Sequence, residues 1–173
     1  MNDLMGNRPA DDSPLRISFP NYWNIDSFVR GEVEGLSDNI LDWTSPKYGW
    51  AGWSIRQQTS HLASLVFRWL LINLSSQLFP EGKPIANDEL ETLNSLERRL
   101  SDQVFSDIND ILNQVDRAVN LARSVLQSRS IQDGRNLSVS RPASETWRLM
   151  SKAHPNGVTV SEDGGGSMTL EAV

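Results

Sequence analysis

Cysteine is absent from the chain, which excludes disulfides, thiolate nucleophiles and every zinc or iron–sulfur site that needs a Cys ligand. Histidine is scarce, with only His61 and His154 present, so a bound metal would have to draw on these two and on carboxylates. Basic runs are missing as well, and nothing longer than Arg98-Arg99 occurs. With a formal net charge of -6 and a pI near 4.9, the chain lacks the electrostatic footprint that a phosphate backbone requires, and nucleic acid is excluded as a partner. The most apolar run, Leu62 to Leu74, is interrupted by Ser64, Arg68 and Asn73. It falls short of the roughly 20 apolar residues that span a bilayer, so the expectation is a buried helix and no membrane. The N-terminus has no basic region followed by an apolar stretch, unlike a secretory signal, and the expected location is cytoplasmic. No P-loop, G-x-S-x-G or G-x-G-x-x-G occurs, and Gly164-Gly165-Gly166 reads as a flexible turn.

What is present fits one globular domain. A chain of 173 residues is long enough to bury a proper core, and 38% apolar residues with a mean hydropathy of -0.41 are ordinary for that class. Residues 1–21 carry Pro9, Pro14 and Pro20 without periodicity and read as an irregular lead-in. Residues 22–153 read as a helical bundle, and 154–173 as a Gly-rich loop followed by the start of a helix.

The first helix is predicted from about Ile25 to Trp43, where Val29, Val33, Leu36 and Ile40 line one face. Gly31 and Gly35 weaken it. Ser54 and Gln57 form the capping-box pattern S-x-x-Q, so a long buried helix is expected to start there and to run to about Leu78, before Pro80 and Gly82. Asp88 with Glu91 repeats the capping signal ahead of Leu90, Leu93, Leu96 and Leu100. Ser101 or Asp102 then restarts a helix to about Gln127, with Ile108, Ile111, Val115, Val119, Ala122 and Leu126 in one stripe. Residues 128–143 read as a loop, and Ser144 to Ala153 as a short helix. Val158 and Val160 offer at most a short extended piece. Thr169 looks like the N-cap of another helix, with Leu170, Glu171, Ala172 and Val173 as its first turn.

Several residues could carry chemistry. His61 lies two turns into the buried helix and should point into or across the bundle, where an imidazole must be hydrogen-bonded, ionised or metallated. A lone His on such a face is more often a satisfied core residue than a ligand. His154 sits in the turn K-A-H-P-N-G and reads as solvated. Asp107, Asp110 and Asp116 fall on the solvated face of the long helix, Trp50, Trp53 and Trp69 read as core and lid packing, and Arg56 and Arg68 as partners of bundle carboxylates rather than of an anionic substrate. No residue is assigned to catalysis.

The segment Gly52 to Ser64, G-W-S-I-R-Q-Q-T-S-H-L-A-S, resembles the opening of the second helix in the DinB-like superfamily, where a Trp precedes the cap, a polar pair follows and a His begins an H-L-A run. The resemblance implies an all-α, up-down four-helix bundle. It also implies a divalent metal such as Zn or Ni, in a metal-dependent hydrolase or a thiol-dependent transferase or isomerase, with a small-molecule substrate. His61 is the one metal-ligand position that carries over. The family's other two ligands come as H-x-x-x-H on the last helix, and no such pair occurs here. Either that helix lies beyond Val173, which is the preferred reading, or this member has lost the site; in both cases the chain should bind metal weakly or not at all. The alternative is a non-catalytic helical interaction module, a homodimer in which a second copy covers Ile108, Val115 and Val119.

Overall fold

Asp107 accepts the Asn109 N–H at 2.7 Å and so starts the longest helix at the residue after it. The computed structural model describes residues 24–172, the side chains of Trp50, Ile131 and Glu171 excepted; the lead-in expected over 1–21 lies outside the described residues. Its helices are α1 (Ile25–Val33), α2 (Asp38–Leu41), α3 (Ile55–Phe67), α4 (Ser75–Leu78), α5 (Asn87–Leu93), α6 (Ile108–Gln127), α7 (Ile131–Asn136) and α8 (Glu145–Ala153). Three short strands, β1 (Ser138–Arg141), β2 (Val158–Val160) and β3 (Gly166–Thr169), complete the chain.

The helix α6 is the spine. Its buried residues Ile108, Ile111, Leu112, Val115, Ala118, Val119, Ala122 and Val125 recur every three or four positions, and this stripe packs along α3 and, at its side, against α1. The main core gathers Val33, Leu41, Phe67, Leu71, Leu93 and Leu100 around it. Ile108, Val115 and Val119 are therefore covered within one chain, which removes the apolar stripe on which the homodimer expectation rested.

The all-α bundle expectation is wrong. The chain from 138 onwards builds an antiparallel sheet of order β1-β3-β2, with Ser138 opposite Thr169 and Val158 opposite Met168. The stretch expected to be loop, 128–143, contains α7 and β1. Thr169, expected to cap a helix, ends β3 instead, and Leu170–Ala172 is a single 3₁₀ turn. The physical reason lies in the burial of this segment: Met168 is buried against Trp147 and Val158, and Leu170 against Leu70, Leu74 and Leu78. Met168 turns inward from β3, and the 3₁₀ turn that follows sets Leu170 onto those leucines.

Three predicted helices are also interrupted. The first breaks at Gly35, whose φ of 83° suits glycine, into α1 and α2. The second starts at the expected capping box, where Ser54 and Gln57 exchange both hydrogen bonds, but loosens into a π-turn over Arg68–Asn73, closed by a Leu74 N–H to Trp69 carbonyl bond of 3.0 Å. The third ends at Leu93, and residues 94–107 form a connection in which Leu96 is fully exposed while Leu100 is buried. No helix of the described residues is long and apolar enough to cross a membrane.

Candidate functional site

The first two turns of α3 face both α2 and the 94–107 connection, and a cleft of about 640 Å³ opens between them. Arg56 forms one wall. Its Nε donates to Asp42 at 2.7 Å, its Nη2 to Asp38 at 2.6 Å and its Nη1 to the Ser106 carbonyl at 2.8 Å. The Asp42 bond, strengthened by the Asp38 bond, outweighs burial and raises the Arg56 pKa, and the same Arg56 bond lowers that of Asp42. Arg99 forms the opposite wall. It is buried, pairs with Glu97 and Asp102, and lies over the Trp53 ring 5.8 Å from its centroid. Asp107, the cap of α6, also lines the cleft. Four carboxylates, Asp38, Asp42, Asp102 and Asp107, therefore stand against two guanidiniums.

His61 is half-buried beside this cleft and not in the helical core. Its Nδ1 lies 2.6 Å from the carbonyl oxygen of Arg98, and Trp53 meets it edge to face with ring centroids 5.0 Å apart. A carbonyl can only accept, so Nδ1 carries the hydrogen. Two neighbours on the helix act alike. The Ser60 hydroxyl accepts the Leu100 N–H at 3.1 Å, and Arg68 Nε donates to Asn94 at 2.9 Å. Ser60, His61 and Arg68 thus form a polar stripe that stitches the 94–100 connection onto α3.

A Zn or Ni ion held by His61 finds few donors here. The contacts of its ring are the Trp53 indole, edge to face, and the Arg98 main-chain carbonyl, and no group of three or more His, Asp or Glu able to hold a metal occurs among the described residues. These residues do not fit a divalent cation. His154 is exposed at the end of α8. Of the acidic residues on α6, Asp107 is the cap, Asp110 is exposed, and Asp116 accepts from Arg30 on α1 at 2.6 Å.

The sequence reading placed Arg56 correctly among carboxylates. Arg68 departs from it, since it meets an amide and no carboxylate among the described residues. Trp53 turns out to sit over Arg99, Trp69 packs toward the sheet beside Trp147, and the Trp50 side chain lies outside the described residues. Asp38, Asp42, Arg99 and Asp102 were missed; the capping box at Ser54 was the one local signal that pointed to this end of α3.

No family model, no curated protein and no solved structure matches the chain, so the DinB-like resemblance rests on the Gly52–Ser64 segment alone.

Proposed function

We propose that the protein binds a small amine-bearing molecule in the cleft between α2, the start of α3 and the 99–107 connection, and that it does so in the cytoplasm. The observation that carries this reading is the state of the two arginines. Arg56 and Arg99 are each held by carboxylates before any ligand enters, so the walls are rigid, and the remaining excess of carboxylate favours a cation. The cleft volume of about 640 Å³ falls within the roughly 300–1,000 Å³ of small-molecule sites. Preorganised charge of this kind binds without a further ordering cost.

The metal-dependent hydrolase or thiol-dependent transferase or isomerase implied by the resemblance would need at least two more donors at His61, whose ring meets the Trp53 indole and the Arg98 main-chain carbonyl. The homodimer module has lost its reason in the burial of Val115 and Val119. The binding reading is tested by ligand-observed NMR with a panel of small mono- and diamines, and with matched carboxylic acids as controls. Amines should bind and acids should not. Asp102→Asn, an exposed position, should weaken amine binding about tenfold, the equivalent of about 1.4 kcal/mol. Equal binding by the variant, or no binding by any amine, overturns it.

A further inference from the structure

Small hydroxyl side chains are buried along α3 and at its cap, at Ser54, Thr59, Ser60 and Ser64. They use their O–H hydrogens differently. Thr59 donates to the Ile55 carbonyl at 2.9 Å, and Ser64 reaches the Asn94 amide oxygen at 3.5 Å. Ser54 and Ser60 only accept, Ser54 from the Gln57 N–H at 3.2 Å and Ser60 from the Leu100 N–H at 3.1 Å. A hydroxyl carries a donor as well as two acceptor lone pairs, and neither of these two has an acceptor for its own hydrogen among the described residues. Ser54 is 4% and Ser60 2% exposed, and a donor buried without an acceptor is destabilising.

The two serines that keep their hydrogens are also the two that line the cleft; Thr59 and Ser64 do not. Phe105 and Ile111 give the same lining an apolar part. The carboxylates of Asp38, Asp42 and Asp102 are exposed, so the cleft grades from anionic at its mouth to neutral and hydrogen-bonding at its floor. A carboxylate on the ligand has no place at that floor, because Asp102 and Asp107 would repel it and Arg56 and Arg99 already have carboxylate partners. A neutral oxygen suits it.

We propose that the ligand of this cleft is a small amino alcohol, with its ammonium among the exposed carboxylates and its oxygen accepting the O–H hydrogens of Ser54 and Ser60. This rests on the amine reading of the same cleft, to which it adds the oxygen. Ser54 and Ser60 then decide specificity. A site built to bond a hydroxyl rejects the analogue that lacks it, because its own buried groups are left unpaired. The Gln57 and Leu100 N–H bonds hold both serine oxygens in place before the ligand enters.

The experiment is calorimetry and ligand-observed NMR of the whole chain with ethanolamine, with propylamine, which puts a methyl in place of the hydroxyl, with methoxyethylamine and with ethylene glycol. Ethanolamine should bind at least about tenfold tighter than propylamine, which leaves the serines unpaired. Serinol, whose two hydroxyls can occupy both serines, should bind tighter still. Methoxyethylamine should keep most of the gain, because an ether oxygen accepts as a hydroxyl does. Ser60→Ala should shrink the ethanolamine advantage by about threefold or more and leave propylamine as in the native chain, whereas loss of the Leu100 bond alone would weaken both amines alike. If that variant does not fold, the ligand series on the native chain decides. Amines that bind with no gain from the oxygen, an ether that binds no better than propylamine, or a gain that Ser60→Ala leaves untouched overturn the amino alcohol and leave the amine reading standing. Ethylene glycol bound as tightly as ethanolamine, or no binding by any amine, overturns both.

Discussion

His61 Nδ1 donates to the main-chain carbonyl of Arg98 across 2.6 Å, joining two residues 37 positions apart. The bond fixes the tautomer, turns the imidazole toward a backbone and not toward other ligands, and makes His61 one stitch of three along α3. His61→Ala should therefore destabilise the chain by about 1–2 kcal/mol, the worth of a hydrogen bond plus the acceptor left behind, as read by chemical denaturation. Nitrogen NMR should find Nδ1 protonated. Titration with Zn²⁺ or Ni²⁺ should show no stoichiometric site of micromolar affinity, and such a site would sink this role for His61.

How far the sequence leads is visible in particular elements. The Ser54 capping box and the α6 stripe were legible because each is a local pattern over a few turns. The sheet was not. Its strands are three or four residues long and offer few β-branched residues in alternation, and the pairing of Ser138 with Thr169 spans a separation that no local window sees. Gly166 read as part of a flexible turn, whereas it lies in β3 because Trp147 occupies the space its side chain would need. The cleft was half legible: Arg56 follows from its place after the cap, but Arg99 and Asp102 reach it only because the chain leaves helix after Leu93.

That crowding at Gly166 gives a second test. A Cβ added there would land within the Trp147 indole ring, which is buried and donates from Nε1 to the Pro142 carbonyl at 3.1 Å. Gly166→Ala should expel the ring and cost about 3 kcal/mol or more, at the upper end of overpacking effects. Thermal melting gives the size. A red-shifted component of tryptophan emission, missing from a Gly166→Ala/Trp147→Phe double variant, gives the cause.

The tie between α1 and α6 predicts a pH dependence. Arg123 holds Asp26 through two bonds of 2.7 Å, Nη1 to Oδ2 and Nη2 to Oδ1. Burial raises the Asp26 pKa, but the Arg123 bonds, the Ser27 backbone N–H and the Arg123 charge together outweigh it, and the net shift is downward from 3.8. A carboxyl whose folded pKa is depressed adds stability that is complete above its unfolded value and disappears as pH falls through the folded one. Stability at pH 3 should thus fall below that at pH 6 by more in the native chain than in Asp26→Asn. At pH 7 the variant should lose about 2–3 kcal/mol, as for hydrogen bonds to charged groups. Parallel pH profiles of the two chains would refute the assignment to Asp26.

The connection after α5 offers the cleanest separation between pattern and structure. Leu90, Leu93, Leu96 and Leu100 have the spacing of one helical face, and a helix through all four would bury them alike. In the structure Leu93 and Leu100 are buried and Leu96 is fully exposed, because the chain turns at Ser95, whose N–H bonds the Arg99 carbonyl at 2.8 Å. Leu100→Ala should then cost about 2–5 kcal/mol as a core truncation, while Leu96→Ala should stay within about 0.5 kcal/mol of the native chain, as surface changes do. The comparison needs only two denaturant melts. Similar losses at both positions would restore the continuous helix, and with it would go the stitching of residues 94–100 to α3 on which the cleft depends.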